Sequence, residues 1–179
     1  MREIAISSKP ISSRYQTLAD EIILVLLGAA AVAVSAQAKL SLWPVPITLQ
    51  TFAVLLVGAL LGSTRGAASI LTYLLAGSAA PVLFANPTGL AGPTGGYLIG
   101  FVISAWLTGM LFERGWGQKA TSMVASLLIG TSVVYAVGVP WLMMFVSSSA
   151  VLKVGLLPFL PGAALKIALA GLVLTRVNR

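Results

Sequence analysis

The sequence predicts an all-α integral membrane protein with six transmembrane helices and both termini cytoplasmic. Three observations carry this. Of 179 residues, 58% are apolar and only 8% charged, against about 25% charged in an ordinary soluble domain. The apolar residues fall into runs that approach or reach the length needed to cross a hydrocarbon core of about 30 Å at about 1.5 Å per residue. The basic residues between the runs are unequally shared: Arg2, Lys9, Arg14, Arg65, Arg114, Lys119, Arg176 and Arg179 fall on one side, Lys39 and Lys153 on the other. By the positive-inside rule the first side is cytoplasmic.

Length and composition fit a single transmembrane domain over 1–179, with a polar cytoplasmic arm at 1–17 and a six-helix bundle at 18–179. The first span, Leu18 to Ala38, is apolar after Asp20 and Glu21. Its Ala36-Gln37-Ala38 end imitates a signal-peptide cleavage site, but the basic arm is long for an n-region, and the span reads as a retained helix. Ser41-Leu42-Trp43-Pro44-Val45-Pro46 is a loop, because two prolines one residue apart exclude helical hydrogen bonding. A second span from about Ile47 to Gly62 and a third from about Ala67 to Ala80 are separated by Arg65, and both are short for a full crossing. The fourth runs from Tyr97 to Phe112 and the fifth from about Thr121 to Val146, with Gly138 and Pro140 expected to bend it. The sixth covers Pro161 to Val173. Loops 39–47, 81–96 and 147–160 then face outside.

The richest of these is Pro81 to Phe101, with Pro81, Pro87 and Pro93, glycines at 89, 92, 95, 96 and 100, and the polar Asn86, Thr88 and Thr94. Such a composition specifies a backbone path. It carries no charge, so it can cover and hydrogen-bond a ligand without neutralising one. Lys166 is the ionisable residue well inside a span, and an intramembrane cation is costly enough, about 2.5–3.5 kcal/mol on insertion scales, to mark a functional candidate. Snorkelling of its long stem to the outer headgroups is the competing reading. Gln37, Thr48, Gln50 and Thr51 are polar groups near the same face, suited to a polar ligand or simply to capping backbone. Trp43, Phe84, Tyr97 and Trp141 could wall an apolar pocket or anchor the chain at the interface. Ala29 and Ala33, four apart on an alanine-rich first span, allow close approach of another helix, internal or from a separate subunit.

Enzyme chemistry finds little purchase. The chain contains no cysteine and no histidine, shows no carboxylate pair within the spans, and its glycine-rich loop lacks the Lys-Ser/Thr ending of a phosphate-binding loop. No metal site or cofactor is expected. Nucleic-acid binding is not expected either, because the basic residues are scattered and not clustered on one face.

At VPITLQT (45–51), LLVGALLGSTRGAASILTYLLAG (55–77), PVLFANPTG (81–89), GPTGGYLIGF (92–101) and LPFLPGAALK (157–166), the chain closely resembles the BioY family. These are biotin-specific substrate-binding subunits, the S components of energy-coupling factor (ECF) transporters. The resemblance implies an ECF S-component fold in the plasma membrane of a prokaryote and high-affinity capture of biotin from outside. It also implies uptake with a transmembrane T subunit and two ATPase subunits that hydrolyse ATP. It places Asn86 and Tyr97 near the biotin site, matches Lys166 to the lysine of the sixth helix, and matches Ala29 and Ala33 to an A-x-x-x-A surface for the T subunit. Where many members read P-G-D-x-x-K, this chain has Ala163 in place of the acid. An S component for another vitamin, and a solitary biotin carrier working without a coupling module, are the alternative readings.

Overall fold

The structure is a computed structural model and describes residues 18–177; the 1–17 arm lies outside the described residues. Its elements are α1 (Leu18–Gln37), β1 (Lys39–Leu40), β2 (Ile47–Thr48), α2 (Gln50–Leu61), α3 (Ser63–Ala79), α4 (Gly95–Glu113), α5 (Ala120–Leu142), the single turn α6 (Val151–Gly155) and α7 (Leu160–Val177). Turns of 3-10 helix occupy Pro81–Leu83, Gly89–Ala91 and Leu157–Phe159. Four stretches are long and apolar enough to cross a bilayer: α1, α4, α5 and the run Val151–Val177. At 12 and 17 residues, α2 and α3 are shorter, as expected.

Four boundaries differ from the sequence reading, and the first two have a local cause in the turns before α2 and α3. Ile47 and Thr48 do not open α2. They pair antiparallel with Leu40 and Lys39, and Leu49 N–H donates to Ala38 O at 3.1 Å, so the chain between α1 and α2 closes as a small hairpin. Arg65 does not separate two spans but lies within α3, because the turn is made by Gly62 alone. That residue sits at φ +85°, a conformation side chains disfavour. Glu113 at the end of α4 then accepts Ser63 N–H at 2.7 Å, satisfying a free donor at the start of α3. Arg65 pairs with Glu21 of α1, so its charge is answered inside the helix. Helix α5 ends at Leu142, two residues past Pro140, and α7 runs on to Val177.

Close backbone approach is bought by small residues. A Cβ at Gly58 of α2 would lie 2.5 Å from Ala105 O of α4, and one at Gly100 of α4 would lie 3.0 Å from Val134 Cα of α5. The ring of Tyr97 fills the notch at Gly138, and the Thr108 hydroxyl fills that at Gly130. Without a solvent-driven hydrophobic term between helices in lipid, such contacts carry association. The result makes α4 the most buried of the candidate spans and α1 the least.

Side-chain donors gather the long connections at one end of the bundle. Lys39 Nζ reaches Ala85 O at 2.7 Å, Gln37 Nε2 reaches Val82 O at 3.2 Å, and Trp141 Nε1 reaches Gly92 O at 3.0 Å. The Glu21 to Arg65 and Glu113 to Ser63 ties mark the opposite end, where a core of Leu55, Met123, Leu127, Ile167, Ala170 and Leu174 closes the bundle.

Candidate ligand-binding cavity

Beneath the gathered loops lies a cavity of about 520 Å³ counted out to its mouth. The hairpin contributes Val45, Pro46 and Thr48; the first turn of α2 contributes Gln50 and Thr51; the loop after α3 contributes Phe84, Ala85, Asn86 and Thr94. Helices α4 and α5 supply Tyr97, Leu98, Phe101, Val134 and Tyr135, and the last connection and α7 supply Phe159 and Lys166.

Three aromatic rings form one wall. Tyr97 meets Tyr135 nearly edge-on, with centroids 6.5 Å apart at 82°, and Phe159 stands 6.3 Å from each. The Tyr97 hydroxyl donates to Gly155 O at 2.8 Å, which fixes the α6 turn over α4. The Tyr97 ring is thus left facing the site while its polar tip holds scaffold. Tyr135 makes no hydrogen bond to a described residue, which leaves its hydroxyl available to a ligand.

The opposite wall is polar but neutral. Gln50, 4% exposed, uses both ends of its amide: Oε1 accepts from Thr48 Oγ1 at 3.1 Å and Nε2 donates to Tyr73 Oη at 2.8 Å. Thr48 Oγ1 also accepts Gln50 N–H, the first amide of α2, at 3.1 Å. Asn86 Oδ1 accepts Thr88 N–H at 3.1 Å and Thr88 Oγ1 at 2.9 Å, an Asx turn that assigns the oxygen. Its Nδ2 donors make no bond to a described residue.

Lys166 supplies the charge. It is 8% exposed and lines the cavity, and it makes no ion pair or hydrogen bond to any described residue. It lies one turn from Ala163, which is also buried, so the position that could have held an intrahelical counter-ion holds a methyl group. Of the described acids, Glu21 pairs with Arg65 and Glu113 binds Ser63 at the far end, while Asp20 lies beside Glu21 in the first turn of α1. An ammonium desolvated without a partner is unfavourable. An anionic or carbonyl oxygen arriving in the cavity would relieve that cost.

Of the residues singled out from sequence, Lys166, Asn86, Tyr97, Thr48, Gln50 and Phe84 meet around this cavity. Trp43 does not; it is 83% exposed on the hairpin. Ala29 is buried within the core, and Ala33 is half-buried against it. The neighbouring Gly28 packs so tightly on Ser69 of α3 that a Cβ would lie 2.4 Å from its hydroxyl. Gly28 therefore serves the contact of α1 with α3. Thr51 and Thr94, also named from the sequence, line the cavity too, whereas Tyr135, Phe159 and Phe101 escaped the sequence reading as site residues. A tyrosine in the middle of a fifth span was the signal for the first of them.

The fold defines a polytopic helical membrane protein with a cavity at the loop end of its bundle. The chain belongs to the BioY family, whose model matches residues 7–179. It is 38% identical over 164 residues to a probable biotin transporter BioY of Pyrococcus horikoshii, covering 89% of this chain and 97% of that protein. It is 36% identical over 155 residues to the biotin transporter BioY of Thermotoga maritima, covering 84% and 90%. Its fold matches the crystal structure of the S-component for biotin from an ECF-type ABC transporter. That match has a TM-score of 0.76 at 23% identity and covers 92% of this chain and 95% of the other.

Proposed function

We propose that this chain captures biotin in the cavity beneath its loops and delivers it across the plasma membrane of a prokaryote as the S component of an ATP-driven ECF importer. It is a transport subunit and not an enzyme. The observation that carries the reading is Lys166, a buried cation without a partner among the described residues, in a cavity otherwise walled by rings and neutral polar groups. Biotin offers what such a site lacks: a carboxylate or ureido oxygen for the ammonium, an apolar chain and ring for Tyr97, Phe84 and Phe159, and a ureido group for Asn86, Thr48 and Gln50. Family membership and the biotin transporters among its relatives support the choice of ligand.

Coupling is proposed to a T subunit and two ATPase subunits, with the loop end of the bundle outside and both termini cytoplasmic. Because Ala29 is buried in the described bundle, docking at Ala29 and Ala33 would need α1 to expose that side; its open face presents Ile22, Ile23, Leu26, Leu27 and Val34 to the surroundings. Calorimetric titration of the purified protein with biotin, riboflavin and thiamine tests the ligand. Saturable binding of biotin alone is expected, and preference for either of the others would overturn the assignment. Biotin uptake in cells with and without an ECF module, each expressing this chain, tests the coupling.

A further inference from the structure

Tyr73 lies on α3 behind the cavity wall, 1% exposed and touching none of the cavity's space. A buried tyrosine hydroxyl needs one partner. This one has two, and they belong to different parts of the site. It accepts from Gln50 Nε2 at 2.8 Å and donates to Leu83 O at 3.3 Å. Its ring meets Phe84 edge-on at 5.5 Å and 88°. Gln50 is a cavity-lining side chain, and Leu83 opens the segment whose next three residues, Phe84, Ala85 and Asn86, all line the cavity.

The bonds run in one direction. Thr48 Oγ1 donates to Gln50 Oε1, Gln50 Nε2 to Tyr73, and Tyr73 to the Leu83 carbonyl. Donors in series polarise one another in a low-dielectric interior. A ligand N–H reaching the second lone pair of Gln50 Oε1 from the cavity would join Thr48 in feeding the chain and tighten each bond down to the loop. The same segment is also held from outside, by Gln37 Nε2 on Val82 O and Leu83 O and by Lys39 Nζ on Ala85 O. Neither Gln37 nor Lys39 lines the cavity, so those ties have no direct route to a ligand.

We propose that Tyr73 is a positioning residue for ligand capture: it ties Gln50 to the Leu83 carbonyl and the Phe84 ring, and so holds segment 83–86 where it closes the cavity and couples that hold to occupancy. The inference rests on the biotin reading for the identity of the ligand. Because the chain has no cysteine, Val82→Cys, at a position 77% exposed, provides a single thiol for a spin label in the protein reconstituted in lipid discs. The label is read with and without saturating biotin in the native, Tyr73→Phe and Gln37→Ala backgrounds, after equal helical signal has been verified. Tyr73→Phe keeps the ring and removes one oxygen. It is expected to mobilise the label without ligand, to raise the biotin dissociation constant about three- to tenfold, and to abolish the biotin-induced immobilisation. Gln37→Ala is expected to mobilise the label yet retain that response. An unchanged ligand-free spectrum in Tyr73→Phe, or a full response to biotin in it, overturns the proposal. If the native protein ignores biotin while Tyr73→Phe still loosens the label, the ligand assignment fails and the hold on the loop stands.

Discussion

Replacing Lys166 by methionine separates two contributions that the native side chain combines, because the charge costs stability in the empty site and repays it when a ligand oxygen arrives. The Lys166→Met protein should melt no lower than the native one without ligand, since it loses a buried cation that no described residue partners and keeps an apolar stem of similar length. Its biotin affinity should fall by about 10- to 100-fold, the worth of a hydrogen bond to a charged group. Thermal unfolding with and without biotin reads both effects, and a native-sized ligand shift in the variant would remove Lys166 from the site. Asn86 can be dissected similarly. Asn86→Ala should weaken biotin binding several-fold, whereas Thr88→Ala, which spares the backbone bond of the Asx turn at 3.1 Å, should leave affinity near native; equal losses in titration would make Asn86 scaffold. Lys166 and Asn86 were legible in the sequence because a cation or an amide stands out against apolar neighbours. Tyr135 and Phe159 were not, since in helices apolar on all sides no periodicity says which ring faces inward.

At the scale of elements, the glycines of the crossings differ sharply in what a methyl group would meet. Gly58→Ala drives a Cβ to 2.5 Å from the Ala105 carbonyl, a backbone atom that cannot swing aside. It should destabilise the bundle by about 1–3 kcal/mol, the usual range for overpacking. Gly171 of α7 has nothing within 4 Å of the same position, and Gly171→Ala should melt no lower than native, because alanine is the better helix former. Melting both in one detergent checks the pair; equal midpoints would show that the α2 to α4 approach yields to strain. Helix number was readable because apolar runs and proline-rich breaks alternate. The boundary at Arg65 misled because a charge inside a helix is unremarkable once Glu21 answers it. A glycine turning one helix straight into the next leaves no polar segment to see.

For the molecule as a whole, the eight-to-two distribution of basic residues predicts which end faces out. Ser148→Cys and Gln118→Cys each place a single exposed thiol at one end of the bundle. In intact cells a membrane-impermeant maleimide should label the first and reach the second only after permeabilisation; the reverse pattern would invert the topology. The arrangement of the outer end has a further consequence. Gln37, Lys39, Tyr73, Tyr97 and Trp141 all direct their hydrogen bonds to main-chain carbonyls, at Val82, Leu83, Ala85, Gly92 and Gly155. A carbonyl is present whatever residue carries it. Mutation at Ala85 can therefore change a side chain that the loop shows the cavity without costing it these carbonyl moorings, whereas Phe84 and Asn86 also hold the loop through their own side chains. At Ala85, ligand preference becomes a trait free to drift or to be re-engineered on an unchanged frame.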